Sequence, residues 1–183
     1  MVKYIYELDG NSNLNIEQIL TPNRELSYIP SISDLFVLNE EYNNITYYGR
    51  GPIENYWDKY SCAKIGIFND FVDDNIIKYL QPQESGAKGD VRYLEIKNDI
   101  GRGIKIKGHP TFEFNISKYH PENVEVSSHI HELKPYNGII LRVIYKQAGV
   151  GGDDSWQAMP HPEYILYPNR IYTLRYTIEP NIK

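Results

Sequence analysis

Apolar and polar positions alternate with period two along much of the chain, the mark of strands with one buried face. Across residues 111–117, Phe112, Phe114 and Ile116 fall on one face, and Glu113 and Asn115 on the other. Near the C-terminus Tyr172, Leu174, Tyr176 and Ile178 oppose Thr173, Arg175 and Thr177. Residues 91–97 and 104–107 read as two strands around the turn Asn98-Asp99-Ile100-Gly101-Arg102-Gly103. Residues 139–144 are apolar on both faces except at Arg142, which predicts a central strand. Asn137-Gly138 lies between residues 129–133 and 139–146 and reads as a two-residue hairpin turn, because such turns need positive φ at both positions. Helix signals are few. Pro121 to Val126 predicts one short helix, with proline at its first position and acid in its first turn. No repeat or linker interrupts the chain, so residues 1–183 read as one domain. Turns recurring between short alternating strands predict an all-β sandwich or barrel.

Composition narrows the function more than the fold. The chain has 183 residues, 41% hydrophobic and 23% charged, which suits a soluble globule rather than a disordered chain. Its apolar runs fall far short of the ~20 residues of a membrane-spanning helix. The start, Met1-Val2-Lys3-Tyr4-Ile5-Tyr6-Glu7, lacks the apolar segment of a secretory signal. Cys62 is the only cysteine, so no internal disulfide can form, and a reducing, cytoplasmic setting is expected. Nineteen basic against 24 acidic residues give a net charge of -5, which argues against a nucleic-acid partner. Seventeen tyrosines are unusual. They fit strands with half-wet faces, or an aromatic surface for a sugar or a protein partner.

The segment Gly149-Val150-Gly151-Gly152-Asp153-Asp154-Ser155-Trp156 is the most informative. Its glycines allow backbone conformations closed to other residues, and Asp153, Asp154 and Ser155 can bond nearby amides and stiffen the bend. Trp156 then reads as an ordinary core residue, or as a flat face held at the surface to stack on a sugar ring. The segment Tyr47-Tyr48-Gly49-Arg50-Gly51-Pro52-Ile53-Glu54-Asn55-Tyr56-Trp57-Asp58-Lys59 lacks the pattern of a phosphate loop. Arg50 with Glu54 or Asp58 reads instead as an ion pair in a sheet corner. His129 and His131 would be co-facial on a strand, but the carboxylate that a metal-binding jelly roll needs a few residues later is missing. No metal site is expected there. The neighbouring acids Glu40-Glu41, Asp73-Asp74 and Asp153-Asp154 would point to opposite faces of a strand, so no glycosidase carboxylate pair is apparent. Cys62 has no catalytic pattern around it, and a buried or idle thiol is expected.

Together these segments resemble the C-terminal domain of glycoside hydrolase family 2 β-galactosidases, a region that is a separate small subunit in some lactic acid bacteria. The resemblance rests on residues 48–56 and 149–156. It also rests on Pro82-Gln83-Glu84-Ser85-Gly86, Asp90-Val91-Arg92-Tyr93-Leu94, Phe112-Glu113-Phe114-Asn115 and His129-Ile130-His131-Glu132-Leu133, in order from about Ile29 onward. It implies an antiparallel β-supersandwich similar to galactose mutarotase. It places the catalytic glutamates and a magnesium ion on a separate (β/α)₈ barrel, so no catalytic residue, cofactor or metal is expected in this chain. Trp156 becomes the substrate-contacting residue, with Gly151, Gly152, Asp153, Asp154 and Ser155 as its scaffold. The implied partners are a galactoside such as lactose and a catalytic barrel domain or large subunit; a homo-oligomer stays open. The family's domain begins several strands earlier, so missing strands would leave sheet edges exposed. Where family members have a basic residue or glutamate after the proline, then Ile-Gly, this chain has Ile29-Pro30-Ser31-Ile32-Ser33-Asp34, a scaffold difference. Two rival readings are a free-standing carbohydrate-binding module and a mutarotase-like enzyme with His129 or His131 as its acid.

Overall fold

The structure is a computed structural model and describes residues 1–154 and 158–181. The strands are β1 (Val2–Leu8), β2 (Leu14–Leu20), β3 (Ser31–Leu38), β4 (Asn44–Gly51), β5 (Lys64–Phe71), β6 (Lys88–Lys97), β7 (Gly103–Ser117), β8 (Ile139–Gln147) and β9 (Tyr172–Asn181). The predicted helix forms as α1 (Pro121–Val126), with His120 Nδ1 accepting from the Glu122 amide at its start. All strand pairs are antiparallel.

The sheet runs β1-β2-β9-β7-β6-β4-β5 and branches at β7, where β8 and then β3 leave the path. The predicted segments 104–107 and 111–117 are the two halves of this one strand. Residues 103–108 pair with β9, and residues 113–117 pair with β8. Pro110 lies between them and has no amide hydrogen to donate, so the ladder can change partner there. β3 and β8 thereby fold as a second leaf over β2 and β9. Phe36 of β3 meets Tyr176 of β9 edge-on at 6.4 Å, though their strands share no ladder. Asp34 of β3 accepts from Tyr176 Oη at 2.8 Å, Gln18 Nε2 at 2.6 Å and Tyr4 Oη at 2.7 Å. The chain is thus an antiparallel β-supersandwich.

The alternating faces become the core. Ile45 and Tyr47 of β4, Leu94 and Ile96 of β6, Phe112, Phe114 and Ile116 of β7, Leu141 and Val143 of β8, and Leu174 and Tyr176 of β9 share one buried cluster. Fully burying one such side chain is worth about 1.5–3 kcal/mol, so this cluster dominates stability. β8 is central, as its two apolar faces predict, lying between β3 and β7.

Two local expectations are corrected. Residues 129–133 are not a strand. Ile130–Glu132 is a 3-10 turn, because Glu132 Oε2 reaches back to the amides of Ser128 (2.7 Å) and His129 (3.2 Å). Asn137-Gly138 is therefore no hairpin turn; it leads a loop into β8, with Gly138 at φ 136. The β6–β7 turn does form as predicted, with Gly101 at φ 82 and the Arg102 amide donating to Asn98 Oδ1 at 3.0 Å.

Candidate functional site

The chain from Arg50 to Cys62 builds the floor of the site. Buried Asn55 donates through Nδ2 to the carbonyls of Arg50 and Ile53, both at 3.0 Å. Its Oδ1 accepts from the Gly89 amide at 2.9 Å, which pins the corner to β6. Arg50 does form an ion pair, but with Asp90 (Nε to Oδ2, 2.6 Å) rather than with Glu54 or Asp58. The two expected partners are committed elsewhere. Glu54 Oε2 accepts from the Gly86 amide at 2.8 Å, and Asp58 Oδ2 accepts from the Gly151 amide at 2.8 Å.

Beyond the corner, residues Trp57–Cys62 form a 3-10 turn. Trp57 stands edge-on to Tyr164 at 5.5 Å, and the Lys146 ammonium lies 5.4 Å from its ring centre. Lys146 also pairs with buried Glu113 at 2.7 Å, and Tyr60 Oη donates to the same carboxylate oxygen at 3.0 Å. Burial raises the Glu113 carboxyl above its usual range, with Lys146 pulling the other way. Burial also pushes the Tyr60 hydroxyl up, and the Arg50 guanidinium stacks 4.5 Å from that ring.

The glycine-rich segment crosses this floor. The Gly149 amide donates to the Tyr164 carbonyl at 2.8 Å, and the Gly151 amide donates to Asp58. At Gly149 and Gly152 space, not φ, requires glycine. Gly149, Gly151 and Gly152 are not among the positive-φ glycines, which corrects the expectation of special backbone angles. A Cβ on Gly149 would lie 2.8 Å from Asp58 Oδ2, and one on Gly152 would lie 2.4 Å from the Ala158 carbonyl oxygen. Gly152 and Ala158 thus form the neck of a loop. Asp153 reaches across it to His161 Nε2 at 2.7 Å and raises the imidazole pKa. Ser155 and Trp156 lie outside the described residues.

The other candidates separate. His129 and His131 stack at 5.4 Å on an exposed turn, and His129 faces Glu132. Among the described residues, no three His, Cys, Asp or Glu side chains gather to hold a metal ion. Glu41 bonds Asn98, and Asp73 pairs with Lys118, so these acids serve separate local contacts. Cys62 is exposed rather than buried. No helix among the described residues is long and apolar enough to cross a membrane. Sequence reasoning missed a groove of about 400 Å³ lined by Glu84, Asn115, Tyr119, Pro121 and Arg142. There Arg142 bonds Glu84 at 2.7 Å and Gln147 at 2.8 Å. Arg142, the lone polar position within residues 139–144, was its signal.

Comparison with known proteins gives these features a family. Residues 1–178 match the family model of the β-galactosidase small chain. A β-galactosidase of Priestia megaterium is 46% identical over 175 residues, covering 96% of this chain and 17% of that protein. BgaC, a β-galactosidase of Bifidobacterium adolescentis, is 36% identical, with 90% and 16% covered. A Streptococcus thermophilus β-galactosidase is 31% identical, with 98% and 18% covered. A galactose mutarotase related enzyme from Lactobacillus acidophilus superposes over 99% of this chain and 61% of its own, at 10% identity and TM-score 0.46. The chain therefore spans about one sixth of the length of these β-galactosidases, and it belongs to the β-galactosidase small-chain family.

Proposed function

We propose that this chain is the part of a β-galactosidase that completes the sugar site of a separate catalytic barrel, with Trp156 as an aromatic platform. The observation that carries this reading is the built neck at Gly149, Gly152 and Ala158, seated on Asp58 and closed by Asp153 and His161. A sequence that spends glycines on close approach and a carboxylate on one amide is fixing that stretch of backbone in place. The barrel supplies the acid and nucleophile carboxylates and holds any magnesium ion with its own residues; this chain supplies shape and apolar area. Stacking that buries about 100 Å² of apolar surface is worth ~2.5 kcal/mol, nearly two decades of affinity.

The test is hydrolysis of a nitrophenyl β-galactoside by the chain alone and by the chain with the barrel-bearing remainder. Activity is expected only in the mixture. In the assembled enzyme, Trp156→Ala should weaken substrate binding by about one to two decades. Activity from the chain alone, or unchanged KM and kcat in the variant, would sink the reading.

The same reading covers the exposed edge of the sheet. β1 pairs with β2 alone, and its row Val2, Tyr4, Tyr6 and Leu8 is exposed. We assign that edge to strands supplied by the remainder of the enzyme. The Glu84–Arg142 groove favours one second reading, a carbohydrate-binding module. Galactose binding by the chain alone, followed by Trp57 fluorescence, would support that second reading.

A further inference from the structure

We propose that the groove over Arg142 binds a neutral linear oligosaccharide, with one sugar unit in each of two hollows on either side of that residue. This takes the groove of the second reading above and names its ligand; it draws nothing from Trp156. The hollow of about 400 Å³ that holds Tyr119 is continued by one of about 490 Å³ that holds Tyr28, and the two share Glu84, Pro121 and Arg142. Each is the size of a small-molecule site. Their common floor is a row of polar side chains. Asn115 Nδ2 donates to Glu84 Oε1 at 3.0 Å, Arg142 Nη1 donates to Glu84 Oε2 at 2.7 Å, and Arg142 Nη2 donates to Gln147 Oε1 at 2.8 Å. A polar network that serves only the fold normally closes on itself, because an unmet buried group is costly. This one is open at both ends. Among the described residues, Asn115 Oδ1 accepts no hydrogen bond and Gln147 Nε2 donates none. Asn115 lines the first hollow, and Gln147, only 5% exposed, lines the second. The Arg142 side chain is 11% exposed, and its guanidinium keeps N–H groups beyond those spent on Glu84 and Gln147.

These features select the chemistry of the ligand. The Glu84–Arg142 pair cancels its own charge, so the floor calls for neither an anion nor a cation. It offers an acceptor at one end, a donor at the other, and guanidinium N–H groups between. Hydroxyl groups answer all three, since each can donate and accept. The walls are apolar. Ile76, Pro82 and Val124 line the first hollow with Tyr119, and Leu35 and Val150 line the second with Tyr28. Each hollow thus pairs one tyrosine ring with one unmet amide group. The ring can take the C–H face of a sugar while the hydroxyls of that sugar reach the floor. A neutral molecule with hydroxyl edges and apolar faces, long enough to fill both hollows, is an oligosaccharide.

The experiment is calorimetric titration of the chain with galactose and with linear β-galactotetraose. The tetrasaccharide should bind more tightly than galactose by about tenfold or more, because it fills both hollows. Tyr28→Ala and Tyr119→Ala, on opposite sides of Arg142, should each weaken the tetrasaccharide about tenfold, the effect expected when a patch of apolar contact is lost. Gln147→Leu removes the unmet donor at similar volume and should weaken it about fivefold. Tyr28 is exposed, so its variant keeps the fold, and an unchanged thermal melt checks that, should Gln147→Leu fail to fold. Equal affinity for galactose and the tetrasaccharide, or a loss with only one of the two tyrosine variants, would confine the ligand to one hollow and overturn the proposal. Tetrasaccharide binding untouched by both tyrosine variants would place the sugar elsewhere on the chain, overturning the proposal while leaving the module reading intact. If neither sugar binds the chain, the module reading falls, and this inference with it.

Discussion

A buried charge pair shows how individual residues set the stability of the floor. Glu113 sits inside the sandwich and pairs with Lys146 at 2.7 Å, with Tyr60 Oη as a second donor. Burial raises its carboxyl above the reference value of 4.5. A carboxyl raised on folding contributes its stability fully below the unfolded value, and that contribution is lost as the pH climbs through the folded value. Lys146 opposes the rise, so it matters most where Glu113 is ionised. Lys146→Met should therefore cost about 3–5 kcal/mol near neutral pH, the penalty of a buried charge left unpaired. The deficit should shrink on acidification, because the variant's Glu113 takes up a proton and sheds its charge. Urea unfolding of both forms near pH 7 and near pH 5 checks this. An equal loss at the two values would mean that Lys146 contributes packing, through its stem and the Trp57 ring, rather than charge.

At the scale of elements, turns separate glycines that need space from glycines that need angle. Gly101, in the β6–β7 turn, has φ 82, and an added Cβ would meet nothing within 4 Å. Gly138, entering β8, has φ 136, and a Cβ would lie 2.7 Å from the Leu38 carbonyl oxygen. Alanine at Gly101 should cost about 1–2 kcal/mol of conformational strain. Alanine at Gly138 should cost more, because a backbone clash adds to strain, and thermal melts of the two variants should rank them so. The same distinction explains what was legible in the sequence. Strands β6 to β9 were readable because their inward residues are large and apolar. β4 was not, because its inward row is Ile45, Tyr47, Gly49 and Gly51. Cβ atoms at those glycines would meet Val91 Cγ2 at 2.8 Å and Tyr47 Oη at 2.2 Å. Close approach of neighbouring side chains thus erased the apolar period. β1 was hidden for the opposite reason, since nearly all of it is exposed. At the site, the glycine-rich segment stood out on composition alone. Its anchor did not, because a contact spanning 93 positions leaves no local pattern.

The whole molecule is a sandwich left open on one side. β1 ends one leaf and β3 ends the other, and between them lies a slot of about 290 Å³ lined by Tyr4, Tyr6, Asp34, Phe36 and Tyr176. The register pairs Tyr4 with Gln18, Tyr6 with Ile16 and Leu8 with Leu14, so the exposed row of β1 continues the face that carries the core. Tyr6 is 61% exposed and Leu8 74%. A free strand edge flanked by uncovered apolar side chains is a template for another strand. In the assembly proposed above, the remainder of the enzyme covers this edge. Without it, the isolated chain should associate with itself through this edge. Sedimentation velocity over a range of concentrations should show growing assemblies. Tyr6→Lys with Leu8→Lys should return the chain to monomer, because two charges on the edge oppose strand addition without touching the core. A wild-type chain that stays monomeric at every concentration would mean that β1 already protects its own edge, and the open slot would then be a finished surface rather than half of an interface.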